Sequence, residues 1–153
     1  MLFRSGHVDG VLLVSSHRGR QSFIPELVRS KVPAIACGIP LGFERSIGYV
    51  AAADADGART AVELLQNQGR RHIAIITGPL DTSGGTNRFA GYREQLGSDY
   101  DESFVAYGDY SKASGAAGMR ELLERHPEID GVFAGNDIMA VGALDVLSSS
   151  IRS

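Results

Sequence analysis

Arg88, Tyr110 and the pair Asn136-Asp137 each stand shortly after an apolar run that reads as a buried strand. An arginine there offers paired hydrogen bonds to ligand hydroxyls or to a carboxylate. In this reading Arg88 opens a helix after Gly84-Gly85-Thr86-Asn87. The positive end of a helix disfavours a cation, so the position asks for a partner; the alternative is a solvated surface arginine. Tyr110, within Gly108-Asp109-Tyr110-Ser111, either stacks on the apolar face of a sugar or packs at the edge of a lobe. Asp109 or Ser111 serves as a helix cap. Asn136 and Asp137 are adjacent residues of capping type, and a helix needs only one. Capping alone would explain Asp137, which leaves Asn136 to face a cleft. Ser15, Ser16 and His17 close an earlier apolar run, where they hydrogen-bond a ligand from the opposite side or form a turn. This is the chemistry of holding a small polar molecule.

Bond-breaking chemistry has no comparable support. His7, His17, His72 and His126 lie far apart, without the spacing of a metal site. His72 reads as structural at a strand start, and His126 ends a helix, where a cation is favoured. There is no Gly-x-Ser-x-Gly elbow, no Walker loop and no Gly-x-Gly-x-x-Gly fingerprint. Ser83-Gly84-Gly85-Thr86 is rich in glycine but lacks the lysine of a phosphate cradle. No catalytic residue, metal or cofactor is expected. The single cysteine, Cys37, excludes an internal disulfide. A net charge of −3 gives no general attraction to nucleic acid or to an anionic membrane. No apolar run approaches the roughly 20 residues of a membrane span. Met1 to His7 lacks the apolar core of a signal peptide, so the expected compartment is the cytoplasm.

The elements that must position these residues alternate strand and helix. Hydrophobic residues make up 43% of the 153 and charged residues 22%, a globular balance. Gly10 to Ser15 is continuously apolar, as a strand buried on both faces should be. Phe23, Ile24, Leu27 and Val28 recur at helical spacing, and Pro33 ends that helix and opens a strand to Cys37. Ile47 to Ala53 is extended. Asp54 opens a helix with the stripe Ala58, Ala61, Val62 and Leu65, and Gly69 is placed as its terminating residue. Further strands are expected over 72–77, 103–107 and 131–135. The helices between them begin at Arg88 and after Ser111, and a last one at Asp137. Such alternation implies mostly parallel sheets with right-handed crossovers. The expected boundary puts residues 1–52 in one lobe and 53–153 in another. The first would hold two or three strands, too few for an independent sheet.

The order of motifs resembles the LacI/GalR family of bacterial transcriptional regulators. The resemblance covers nearly all of residues 8–147: Val8 to Val14, Val32-Pro33-Ala34-Ile35, Asp54 to Gly57, Gly69 to Pro79, Asn87 to Leu96, Gly108 to Ser111, and Gly135 to Leu144. It implies a two-lobed α/β fold of the periplasmic-binding-protein type I class, with parallel sheets flanked by helices. It also implies a small-molecule effector, a sugar or sugar derivative, held in the cleft and coupled to operator affinity. Arg88, Asn136 and Tyr110 match ligand-contacting positions, and Ser15-Ser16 matches a contact region of the first lobe. Gly38 stands where many members carry an aspartate, so a first-lobe carboxylate contact does not carry over. Against the family the chain is incomplete at both ends. It lacks the helix-turn-helix through which operator DNA would be bound, the opening βα units and the final strands. The full-length family member is expected to be a homodimer. The alternative is a periplasmic sugar-binding protein of a transport system.

Overall fold

The computed structural model describes residues 8–14 and 23–150. Ser15, Ser16, His7 and His17 lie outside the described residues. Contacts divide the chain into two compact units: Met1–Ala52 with Asp81–Gly84, and Ala53–Leu80 with Gly85–Ser153.

In the first unit, β1 (Val11–Val14), β2 (Ala34–Cys37) and β3 (Gly48–Val50) form a parallel sheet in that order. Between β1 and β2 runs α1 (Ile24–Ser30), with Pro25 in its first turn, where a missing N–H costs nothing. Leu13 and Ala36 face one way and are buried with Ile24, Leu27 and Ile47. The other face carries Leu12, Val14, Ile35 and Val50, all more than half exposed. Two or three strands were expected. The described residues form three, and α1 packs on one of their faces. Ser83 belongs with this unit, and its Oγ accepts the Ile39 N–H at 3.1 Å.

The second unit is covered on both faces. Its sheet has the order β5-β4-β6, all parallel, from β4 (Ile73–Thr77), β5 (Val105–Tyr107) and β6 (Gly131–Ala134). Every residue of β4 is buried, as the central strand of such a sheet requires. Ile73 and Ile75 pack with Val62 of α2 (Asp54–Asn67) and with Tyr92 and Leu96 of α3 (Ser83–Leu96). Ala74 and Ile76 pack on the opposite side. Their partners are Met119 and Leu122 of α4 (Lys112–Arg125) and Met139, Ala143 and Val146 of α5 (Asp137–Ser150). The α2 stripe read from the sequence is the buried side of that helix, with Val62 and Leu65 packed against the sheet.

Local signals end the elements where the residues suggested. Gly69 adopts φ +83°, its N–H reaches the Gln66 carbonyl, and the Arg70 N–H reaches that of Leu65, a Schellman closure of α2. At the far end of the sheet the Asp130 carboxylate accepts the backbone N–H groups of Arg71 and His72, which aligns β4 with β6. One expectation is corrected. α3 begins at Ser83, not at Arg88, so Gly84 and Gly85 are helical and Arg88 lies in the second turn. A Cβ at Gly85 would stand 2.1 Å from the Pro79 carbonyl oxygen, so the helix start sits too close to the preceding chain for any side chain. That tertiary demand overrides the poor helix propensity of glycine.

Candidate functional site

The topology of the second unit selects one edge. From β4 the chain crosses to β5 through α3 on one face. From β5 it returns past β4 to β6 through α4 on the other. Adjacent strands whose helices leave to opposite faces open a crevice at their C-terminal ends, the place where parallel α/β sheets bind ligands. Here the crevice is at the end of β4.

Each of the three strands is followed by a glycine at this edge: Gly78, Gly108 and Gly135. All three are required by close approach. A Cβ on Gly78 would lie 2.2 Å from the Tyr110 ring, one on Gly108 would lie 2.5 Å from the Met139 sulfur, and one on Gly135 would lie 2.8 Å from the Gly78 nitrogen. The N–H groups of Gly108 and Gly135 reach the carbonyls of Thr77 and Ile76, both at 2.8 Å. Backbone therefore forms the floor of the crevice, with the Tyr110 ring laid over Gly78.

Arg88 rises beside this floor. Its Nε donates to Asp54 Oδ1 at 2.9 Å, and its Nη2 lies 2.9 Å from the same oxygen. Its Nη1 donates to the Gly135 carbonyl. The partner that the position asked for is thus Asp54, at the first residue of α2. The pairing was not visible in the sequence, where Asp54 reads only as a helix opener. The Arg88 side chain stays 36% exposed while that of Asp54 is 13% exposed, so the pair is anchored inward and open outward.

Asn136 and Asp137 divide their work differently from the expectation. Asn136 is the cap: its Oδ1 accepts the Met139 N–H at 2.8 Å. Its Nδ2 donates to the Tyr110 carbonyl at 3.1 Å, and one donor and one acceptor of the amide remain. Asp137 lies exposed in the first turn of α5. Capping and facing the strand ends are therefore both roles of Asn136.

Tyr110 takes φ +71°, a left-handed conformation uncommon for a bulky residue. Local hydrogen bonds brace the loop around it. Asp109 Oδ1 accepts the Ser111 N–H at 2.9 Å, the Asp109 N–H reaches Ser114 Oγ, and Ser111 Oγ caps α4 through the Ser114 N–H. Of the two candidate caps, Ser111 is the one used. Hydrogen bonds from Ser111 and then Ser114 pull the Asp109 carboxyl down from 3.8 to about 2. The half-buried Tyr110 ring lies over Gly78 and packs against the Met119–Met139 cluster.

Arg88, Asn136 and Tyr110 thus join into one contiguous edge through Gly135 and Gly78. Among the described residues no group of three or more His, Cys, Asp or Glu is placed to hold a metal ion. A cavity of about 400 Å³ beside β6 touches Asp130, Asn136 and Asp137 but is lined mainly by apolar residues such as Leu123, Ile129 and Leu147. It is a mainly apolar groove along the edge of the sheet.

Residues 4–152 match the family model described as the periplasmic binding protein domain. The chain belongs to that family. It is 46% identical over 151 residues to the HTH-type transcriptional regulator CelR of Thermobifida fusca, a stretch that is 95% of this chain and 44% of that protein. It superposes with a TM-score of 0.88 on the solved transcriptional regulator CelR–cellobiose complex, at 44% identity, covering 95% of this chain and 46% of that one. A LacI-family regulatory protein from Chloroflexus aggregans superposes with a TM-score of 0.79 at 30% identity, covering 97% and 54%. The resemblance to LacI-family regulators and the periplasmic-binding-protein-like α/β fold implied by the motifs are borne out. The chain spans about half the length of the proteins it matches. No described helix is long and apolar enough to cross a membrane.

Proposed function

We propose that this chain is the effector-sensing region of a DNA-binding transcriptional regulator of the LacI type, and that its effector is a sugar. The observation that carries the reading is Arg88. Its guanidinium is fixed by Asp54 and the Gly135 carbonyl at the switch point of a parallel sheet, with its outer edge open. Asn136 adds an unspent donor and acceptor beside it. Tyr110 and Asp137 complete the ligand set on this unit, and Ser15 and Ser16 are assigned to it by their motif position alone. The edge holds a polar molecule, and among the described residues no nucleophile and base are paired there to transform one. The relatives are transcriptional regulators, which favours this reading over a transport-binding protein or an enzyme. It carries with it a cytoplasmic location, operator binding through a separate DNA-binding segment, and a homodimer in the full-length protein.

The mechanism is a population shift. The effector binds one arrangement of the protein better than another and moves the equilibrium by that difference in affinity. Cellobiose is the first candidate effector, because the solved relative at 44% identity is its complex. The test is fluorescence anisotropy of the full-length gene product on DNA from upstream of its own gene, titrated with neutral saccharides. A saccharide-dependent change in DNA affinity is expected. DNA binding that no saccharide alters would overturn the reading.

A further inference from the structure

We propose that Asp54 positions the Arg88 guanidinium and cancels its charge, so that the edge accepts an uncharged polyhydroxyl ligand and rejects its phosphorylated counterpart. The proposal rests on the reading of this edge as a saccharide site. Nε of Arg88 donates to Asp54 Oδ1, Nη2 stands in ion-pair contact with the same oxygen at 2.9 Å, and Nη1 donates to the Gly135 carbonyl. Two of the five N–H groups therefore donate to the protein. Each terminal nitrogen keeps at least one N–H for the oxygens of a ligand.

A guanidinium without a partner recruits carboxylate or phosphate, because charge-assisted hydrogen bonds to an anion are the stronger kind. Here the anion is already supplied by the protein. The other charged groups of the strand-end loops and adjoining helix starts do not restore a positive field. Lys112, at the start of α4, is paired with Asp145 at 2.7 Å. Asp109 is held ionised in the loop after β5, and Asp137 is exposed in the first turn of α5. Arg88 and Lys112 are each matched by a carboxylate and Asp109 and Asp137 add negative charge, so an incoming phosphate would meet no net positive field. A neutral sugar escapes that repulsion and still meets the open N–H groups of Nη1 and Nη2.

Asp54 is a positioning residue in this account, and a merely structural role predicts something different. Loss of structure would weaken all ligands by one common factor. Loss of charge compensation changes the ratio between neutral and anionic ligands. Isothermal titration of the full-length gene product is the test, with cellobiose, glucose and ribose each paired with its terminal phosphate ester. The wild type should bind at least one neutral sugar more tightly than its ester, by about tenfold or more. Asp54→Asn should narrow that preference by about tenfold, and Asp54→Glu should restore most of it. A wild-type preference for the ester overturns the proposal, and this comparison needs no variant to fold. An unchanged ratio in Asp54→Asn overturns the proposal while the saccharide reading stands. Failure of all three neutral sugars to bind overturns the saccharide reading and this proposal with it.

Discussion

Asn136 donates its side-chain N–H to the backbone carbonyl of Tyr110 at 3.1 Å, and so ties the loop after β5 to the start of α5. The same side chain caps α5. One residue therefore fixes two of the three strand ends that form the edge. Asn136→Asp keeps the capping oxygen and loses the donor, whereas Asn136→Ala loses both. Asn136→Ala should cost about 1–2 kcal/mol of stability. Asn136→Asp should keep most of the cap and still weaken saccharide binding. Denaturant midpoints read against titration affinities separate the two effects.

The Tyr110 ring occupies the space that a side chain on Gly78 would need. Gly78→Ala should displace the ring and cost about 1–3 kcal/mol by overpacking. The double variant with Tyr110→Ala should recover part of that loss. Additive losses in the double-variant cycle would show that ring and glycine are not coupled.

Asp109 gives the loop a defined acid sensitivity. Its folded-state carboxyl titrates near 2 against 3.8 for the free group. A depressed value means that the stabilisation is complete above 3.8 and is lost as the pH falls from 3.8 through about 2. Asp109→Asn should therefore be less stable than wild type at pH 7, and the difference should fade toward pH 2. Thermal melts across that range report it, and a difference that does not depend on pH would remove Asp109 from the account.

Tyr92 anchors α3, the helix that carries Arg88. Its buried hydroxyl donates to the Ile73 carbonyl at 2.8 Å, and burial pushes its ionisation far above the ordinary tyrosine range. Tyr92→Phe leaves that carbonyl without its partner and should cost about 1–3 kcal/mol. Urea unfolding measures the loss directly. Saccharide affinity at a temperature where both forms are folded should change little.

The scaffold was legible because its signals are local. Continuous apolar runs marked β1, β4 and β6, the 58–61–62–65 stripe marked the buried face of α2, and Gly69 marked its end. The edge was legible only as a set of strand ends. The Asp54–Arg88 pairing joins residues 34 apart with no periodicity to suggest it. Gly84 and Gly85 read as loop because the closeness of Pro79 to Gly85 exists only once the chain is folded. The sequence offered two caps at 136 and 137, and only geometry assigned the cap to Asn136. A recurring sign was present in the three glycines after three strands, Gly78, Gly108 and Gly135, where backbone must approach closely.

The central claim is that Arg88 holds the effector. Its most direct test is isothermal titration of the neutral saccharide that binds the wild-type full-length protein against Arg88→Ala and Arg88→Lys. Both variants should bind at least about tenfold more weakly, since lysine keeps the charge but not the planar fork. Wild-type affinity in Arg88→Ala would contradict the account.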